Sequence, residues 1–556
     1  MRKYLHFCLA FLLFVGCKQE KETTSSEEII LWTPYNDSAE VAANADHEYQ
    51  RMRYKFIQSK VLDKNEVFLP LYDEVSKFSE TQYEKMKPMV LEKDIRTLQA
   101  HISKGDFTYE DLVLFYLHRI YKYELPNTTT LNTIIALNPN VLEEARALEP
   151  NANGHHPIYG MPILLKDNIG TSEMKTTAGA VVLKDNQTED AFITKRLKEK
   201  GALILGKVNL SEWANYLCVE CPNGQSAVGG QTLNPYGRRV FDTGGSSAGS
   251  GTSTAANYAV AAVGTETSGS ILSPSSSNSV VGLKPTIGLL SRTGIVPISS
   301  TLDTPGPMTK NVTDNAILLD AMLGKDEADF KSVAPEAEVA SAWKNPATLS
   351  EIRLGVMKNL LERDSLYAAN VEILRNAGAQ IVMYEKMDDY HLPSTFVTLL
   401  EVDMKNDLKR YLQEQVKNKD MVKVTSVADV VEFNKQDSLV RIPYGQAQFE
   451  SIIEDTTTEE RLLRIKEDVL ITGRGFFDPM QELNLDVVLS INNYHAGFAA
   501  AAEYPALTIP MGYMPTGQPE GLTFIGKPFS EELLLQIGKS FEDLTKARKL
   551  PEGYVD

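Results

Sequence analysis

Between residues 243 and 282 the chain combines two features that do not coexist in a linker. The small-residue run TGGSSAGSGTSTA leads into ANYAVAAVG, and a second small-residue run, TETSGSILSPSSSNS, leads into VVGLKP. A flexible Gly/Ser linker stays polar because none of it needs burial. Apolar segments at these positions demand a core, so the glycines and serines between them must let backbone approach backbone. The stretch therefore predicts a buried, closely packed site.

The surrounding sequence supplies the layers. ITKRLKEKG followed by ALILGK reads as a helix closed by Gly201 and then a short, fully apolar strand. The same alternation recurs in EIRLGVM, SLYAANVEILRNAG and AQIVMYE, and DVVLS, PALTIP and GLTFIG add buried strands. Thr108 and Asp111 have capping-box spacing ahead of a helix with Leu112, Phe115, Tyr116 and Ile120 on one face. The fold class is α/β, with a large central mixed β-sheet covered by helices on both faces. The domain reading is a signal peptide at 1–16, a polar tether at 17–39, a helical extension at 40–93 and one large α/β domain at 94–550.

Charge narrows the partners. Against 56 basic residues stand 74 acidic ones, a net charge of -18, and such a surface repels nucleic acid. At the N-terminus Arg2 and Lys3 precede LHFCLAFLLFVGC, an apolar run short of the roughly 20 residues that a spanning helix needs. Phe14 to Cys17 resembles a bacterial lipoprotein box, in which Cys17 is lipid-modified. Phe14 replaces the usual Leu, which leaves ordinary signal-peptidase cleavage open. The expectation is an extracytoplasmic protein of the bacterial cell envelope, membrane-associated through an N-terminal lipid anchor, or secreted. Beyond Cys8 and Cys17 only Cys218 and Cys221 remain. Their spacing fits a redox pair or half a zinc site, but the other half of a zinc ribbon is missing, so a local disulfide or two idle thiols is preferred.

Three weaker motifs are set against the main one. Gly201 to Lys207 has phosphate-loop spacing, but Val208 stands where a Ser or Thr would hold magnesium. His155 and His156 are adjacent and point apart. Gly245-Ser246-Ser247-Ala248-Gly249 fits the nucleophile elbow of a serine esterase, with Ser247 attacking and His391 or His495 downstream, but the polar FDTGG precedes it instead of a strand.

Three blocks, PILLKDN, TGGSSAGSG and GTETSGSILSP with its GLKPT follow-on, resemble in order and spacing the amidase signature family, whose members hydrolyse carboxylic amides. The resemblance runs from about Asp94 to about Ala547 and is greatest to the peptide amidase subgroup, which acts on the C-terminal amide of peptides. It implies Ser270 as nucleophile, Ser246 as the cis-Ser proton relay, and Lys166 as general base. Thr267, Ser268 and Gly269 would form the oxyanion hole, and no metal or organic cofactor is implied. The substrate it implies is a small-molecule or peptide amide. Glu266, Ser268 and Leu272 depart from the Asp, Gly and Arg common around the nucleophile in many members. A tRNA-dependent amidotransferase subunit is another relative, and the signal segment argues against that role.

The chemistry can be stated without the family. An amide needs a deprotonated hydroxyl, a stabilised oxyanion and a protonated leaving nitrogen. Lysine serves as base only when neutral, so Lys166 must be desolvated, and its position after apolar PILL fits burial. A catalytically silent, lipid-tethered binding protein on the same scaffold is the other class considered. Pocket walls are expected from the segments between about Met357 and Phe477.

Overall fold

The computed structural model describes residues 29–149, 154–334, 342, 344–385 and 390–556. The segment expected to be a signal peptide, together with Cys17, lies outside the described residues. Leu31–Asp556 forms one compact unit.

Thirteen strands are present among the described residues. The first five are β1 (Ile134–Leu137), β2 (Pro162–Lys166), β3 (Leu203–Val208), β4 (Gln225–Ser226) and β5 (Gly230–Gln231). Then come β6 (Ala261–Glu266), β7 (Val281–Lys284), β8 (Thr304–Thr309), β9 (Arg353–Met357) and β10 (Gln380–Tyr384). The last three are β11 (Val487–Ile491), β12 (Ala506–Tyr513) and β13 (Pro519–Gly526). Eleven of them make one sheet in the order β1-β3-β2-β6-β8-β7-β12-β13-β11-β9-β10, and β4 and β5 pair separately. β2 runs parallel to β3 and β6, while β8, β7, β12 and β13 are joined antiparallel. The sheet is mixed and flanked by helices, as the alternation of apolar runs predicts.

Burial explains the strand compositions. Every residue of β2, β3, β6, β7, β8 and β11 is buried, so these strands read as continuous apolar or small-residue runs instead of alternating ones. The helix Tyr109–Glu124 begins with the reciprocal Thr108–Asp111 capping box anticipated from the sequence. Gly201 adopts φ +82°, between the helix Phe192–Glu199 and β3. The N-terminal helices Lys64–Val75, Glu80–Val90 and Ile95–Lys104 share the main apolar core with the sheet. Fully buried Arg119 ties that region together, donating to Ala256 O at 2.8 Å, to the Tyr83 hydroxyl at 2.6 Å and to Tyr554 O. Among the described residues no helix is long and apolar enough to cross a membrane.

Candidate active site

The site is assembled at the adjacent ends of β2 and β6. Lys166 is the last residue of β2 and Glu266 the last of β6. The chain leaving β6 turns through Thr267–Ser270 and enters the short helix Leu272–Ser277. Ser246 lies just before the helix Ala248–Ala255, and the Gly245–Ser246 peptide is cis.

Small residues bring these pieces together. Gly244 has φ +64°, and a Cβ there would lie 2.7 Å from Pro274 N. A Cβ on Gly245 would lie 2.5 Å from Asn223 Oδ1 and 2.8 Å from Ser211 Oγ. Ser211 N donates to Ser246 O at 3.0 Å, and Ser247 N donates to Ser270 O at 3.2 Å. The glycine-serine run is thus the contact surface between the two blocks that the sequence singles out.

Lys166 Nζ is 2.7 Å from Ser246 Oγ, 2.8 Å from Thr265 Oγ1 and 3.1 Å from Thr265 O. Lys166 and Ser246 are both fully buried. Burial, which disfavours the ammonium form, lowers the lysine to about 7, and the charges of Asp303 and Glu266 oppose that shift. Its hydrogen-bond partners are uncharged. Asn168 Nδ2 also donates to Thr265 Oγ1, at 3.0 Å, so one threonine hydroxyl joins two residues of the lysine block.

The turn before Ser270 is held from both sides. Glu266 Oε2 accepts from the backbone N–H of Ile271 at 2.7 Å and of Leu272 at 3.0 Å. Thr267 Oγ1 donates to Asp303, whose other oxygen accepts from Ile298 N and Ser299 N. Gly269 has φ +89°, a conformation that costs glycine little. Ser268 is exposed and Ser270 half-buried. Among the described residues no hydrogen bond uses the N–H of Thr267, Ser268, Gly269 or Ser270. Sequence reasoning missed Thr265, Asn168 and Asp303 as parts of this site. Thr265 lies inside the GTETSGSILSP block with no role assigned to it, Asp303 lies outside the three blocks, and Asn168 reads only as the end of PILLKDN.

The elbow reading of Ser247 is corrected by the structure. Ser247 is fully buried, and its hydroxyl donates to Thr265 O at 3.0 Å while accepting from Thr265 N at 3.2 Å. It fastens the helix Ala248–Ala255 to β6. No strand precedes it, and His495 Nδ1 is instead 2.7 Å from Ser490 Oγ. The phosphate-loop match fails as well, because Gly206 and Lys207 lie within β3 and Lys207 is fully buried against Asp167. His156 is paired with Asp320 at 3.0 Å. Cys218 and Cys221 form a disulfide.

A cavity of about 340 Å³ borders the site on its Thr265 and Thr267 side. Asn168 lines its floor, the segment Arg292–Ser300 forms one wall and the end of the helix Thr395–Glu414 another. The helix lies within the region expected to supply pocket walls, whereas Arg292–Ser300 lies outside both that region and the three blocks.

The mixed sheet brings a buried lysine, a buried serine and a half-buried serine loop together, and the relatives that share this fold make the chain a hydrolase acting on amide C–N bonds. Residues 111–535 match the family model described as Amidase, and the chain belongs to that family. It is 34% identical over 492 residues to a probable amidase of Arabidopsis thaliana, covering 83% of this chain and 92% of that protein. Among solved structures, an amidase family protein from Bacillus anthracis superposes with TM-score 0.84 at 36% identity, over 90% of this chain and all of that one. A peptide amidase in complex with the competitive inhibitor chymostatin superposes with TM-score 0.77 at 34% identity, over 83% of this chain and 99% of that chain.

Proposed function

We propose that this chain hydrolyses a carboxylic amide, such as a peptide C-terminal amide, through a Ser270 acyl-enzyme, with Ser246 as proton relay and Lys166 as general base. The observation that carries the reading is the set of partners around Lys166 Nζ. A neutral amine has two N–H donors and one lone pair. Two oxygens of Thr265 take the donors, and the Ser246 hydroxyl, at 2.7 Å, is placed for the lone pair. The same three oxygens can also accept from an ammonium ion, so the contacts serve the amine in both protonation states, and burial, which lowers the lysine to about 7, brings the neutral form within reach.

In the reaction the Ser270 hydroxyl gives its proton to Ser246 Oγ, and Ser246 passes its own to Lys166. The Ser270 oxygen attacks the carbonyl, and the unengaged N–H groups of Thr267 to Ser270 supply donors for the oxyanion. Collapse of the tetrahedral intermediate breaks the C–N bond as the proton returns through Ser246 to the leaving nitrogen. Water then releases the acid by the same relay, and no step requires a metal or cofactor. The inhibitor bound by the related peptide amidase supports a peptide or small-molecule amide as substrate.

Ammonia release from a panel of peptide and simple amides tests the assignment. Ser270→Ala should abolish it, and equal rates in wild type and variant would remove Ser270 as nucleophile. The N-terminal sequence supports an extracytoplasmic, lipid-tethered protein. Metabolic palmitate labelling that is lost in Cys17→Ala is the expected outcome, and unlabelled membrane-free protein would reject the anchor.

A further inference from the structure

The neck of one loop presses on the Ser246 segment, and that loop carries a disulfide for which the proposed reaction has no use. Ser211 N donates to Ser246 O at 3.0 Å. Thirteen positions after Ser211, Gly224 N donates to Ser211 Oγ at 2.8 Å, which closes residues 211–224 into a compact loop. Both sides of its neck meet Gly245, since a Cβ there would lie 2.5 Å from Asn223 Oδ1 and 2.8 Å from Ser211 Oγ. The placement of Ser246 therefore follows the shape of this loop.

Beyond the neck the loop is held unevenly. Asn223 is fixed, its Nδ2 3.0 Å from Asp242 Oδ2 and its carbonyl accepting from Gln231 Nε2 at 2.7 Å. Arg51 Nη1 donates to Cys221 O at 2.7 Å. On the Ser211 side, Trp213, Ala214 and Asn215 have φ +51°, +54° and +73°, three successive residues in the left-handed region. Such backbone is costly for residues with a Cβ and persists only where its surroundings hold it. Trp213 is buried, packs on Phe449 at 5.3 Å and donates its N–H to Ala178 O. Between these two anchored sides, no hydrogen bond among the described residues ties the backbone of residues 217–220 to anything outside the loop. The Cys218–Cys221 cross-link spans that stretch. Val219 and Glu220, between the cysteines, are exposed, so the cross-link lies just beneath the surface.

We propose that Cys218 and Cys221 form a redox switch acting on Ser246. A dithiol reductant opens the disulfide: the S–S bond breaks, each cysteine sulfur gains an electron and a proton, and the reductant's two thiols become its own disulfide. Without the cross-link, residues 217–220 let the left-handed turn relax, Ser211 moves off Ser246 O, and the relay loses its alignment between Ser270 and Lys166. Re-oxidation closes the loop and restores it. The inference rests on the reading of Ser246 as proton relay and adds a regulating reaction class to it, thiol–disulfide exchange with a dithiol.

The test uses the full chain, oxidised or treated with dithiothreitol, with iodoacetamide labelling and peptide mass spectrometry to count the thiols at Cys218 and Cys221. Reduction should lower kcat for amide hydrolysis about tenfold to hundredfold, the size expected of a misplacement of about 1 Å, and leave KM within about twofold. Oxidised glutathione should restore the rate. In Cys218→Ser/Cys221→Ser kcat should be low from the start and indifferent to dithiothreitol. Backbone hydrogen exchange of that variant should be faster than wild type in residues 211–224 and unchanged in the rest of the protein. Full activity with both cysteines reduced would overturn the inference. So would a loss of rate accompanied by faster exchange throughout the chain, because the cross-link would then be only a staple for the fold. The relay reading fails separately: wild-type hydrolysis by Ser246→Ala removes it, and the thiol count, exchange and rate in the parent chain still decide whether the cysteines switch the enzyme.

Discussion

Two lysines on neighbouring strands, both fully buried, differ in what surrounds them. Lys166 ends β2 and Lys207 lies near the end of β3, and the two strands pair in parallel. Lys207 faces a carboxylate, Asp167 Oδ1 at 3.3 Å, along with Ile169 O and Thr176 Oγ1. Lys166 faces only hydroxyl and carbonyl oxygens. Burial lowers both, and for Lys207 the adjacent Asp167 is the main opposing charge. For Lys166 the opposing charges are Asp303 and Glu266, neither of them a hydrogen-bond partner, and it settles at about 7. Equal burial thus gives an ion pair that knits two strands in one case and a titratable amine in the other. The deciding variable is whether a carboxylate is in contact.

Substitutions can break this comparison. Lys166→Ala should lower amide hydrolysis by about 10²- to 10⁴-fold, the usual contribution of a general base, with partial recovery at high pH where Ser246 loses its proton more readily. Unchanged activity at neutral pH would reject Lys166 as the base. Lys207→Met should instead cost about 3–5 kcal/mol of stability in chemical denaturation, because Asp167 is left buried without its partner, while the folded fraction keeps its pH profile. Loss of activity without loss of stability would make Lys207 part of the chemistry. Ser247→Ala should cost about 1–3 kcal/mol by stranding the Thr265 backbone groups, yet retain amide hydrolysis. If it were as inactive as Ser270→Ala, the correction made to the elbow reading would be wrong.

The smallest effect is in pH dependence. The base must be neutral, and its value of about 7 means it becomes neutral as pH rises through that point. The rate kcat/KM should therefore fall about tenfold per pH unit below about 6 and level off above about 8. A profile flat from pH 5 to 8, roughly the range over which a lysine at 7 must titrate, would show that Lys166 does not control the reaction.

Much of the fold was legible because burial writes itself into composition. Strands buried on both faces appear as unbroken apolar or small-residue runs, and β3, β9, β11, β12 and β13 each coincide with a segment that the pattern picked out, as does the largely exposed edge strand β10. The helix after Thr108 was legible from its cap and from the apolar face of Leu112, Phe115, Tyr116 and Ile120. Within the site, Lys166, Ser246 and Ser270 were readable as a set only through the order and spacing of their blocks, since a single lysine or serine carries no such signal. Thr265, Asn168 and Asp303 were not readable as parts of it, because their roles depend on contacts made across strands and loops.

Sequence by itself therefore determined the layered α/β architecture, the acidic surface, the need for close backbone packing at residues 243–282 and the three candidate residues. The tertiary structure decided what each polar group meets. It gave Ser247 two backbone partners and Ser246 a lysine, although the two serines are adjacent in the chain. It gave Lys207 an acid and Lys166 none in contact, although both end or nearly end buried strands. Periodicity and spacing record which residues are buried, whereas protonation and reactivity depend on which atoms lie within about 3 Å, and that is set by long-range packing.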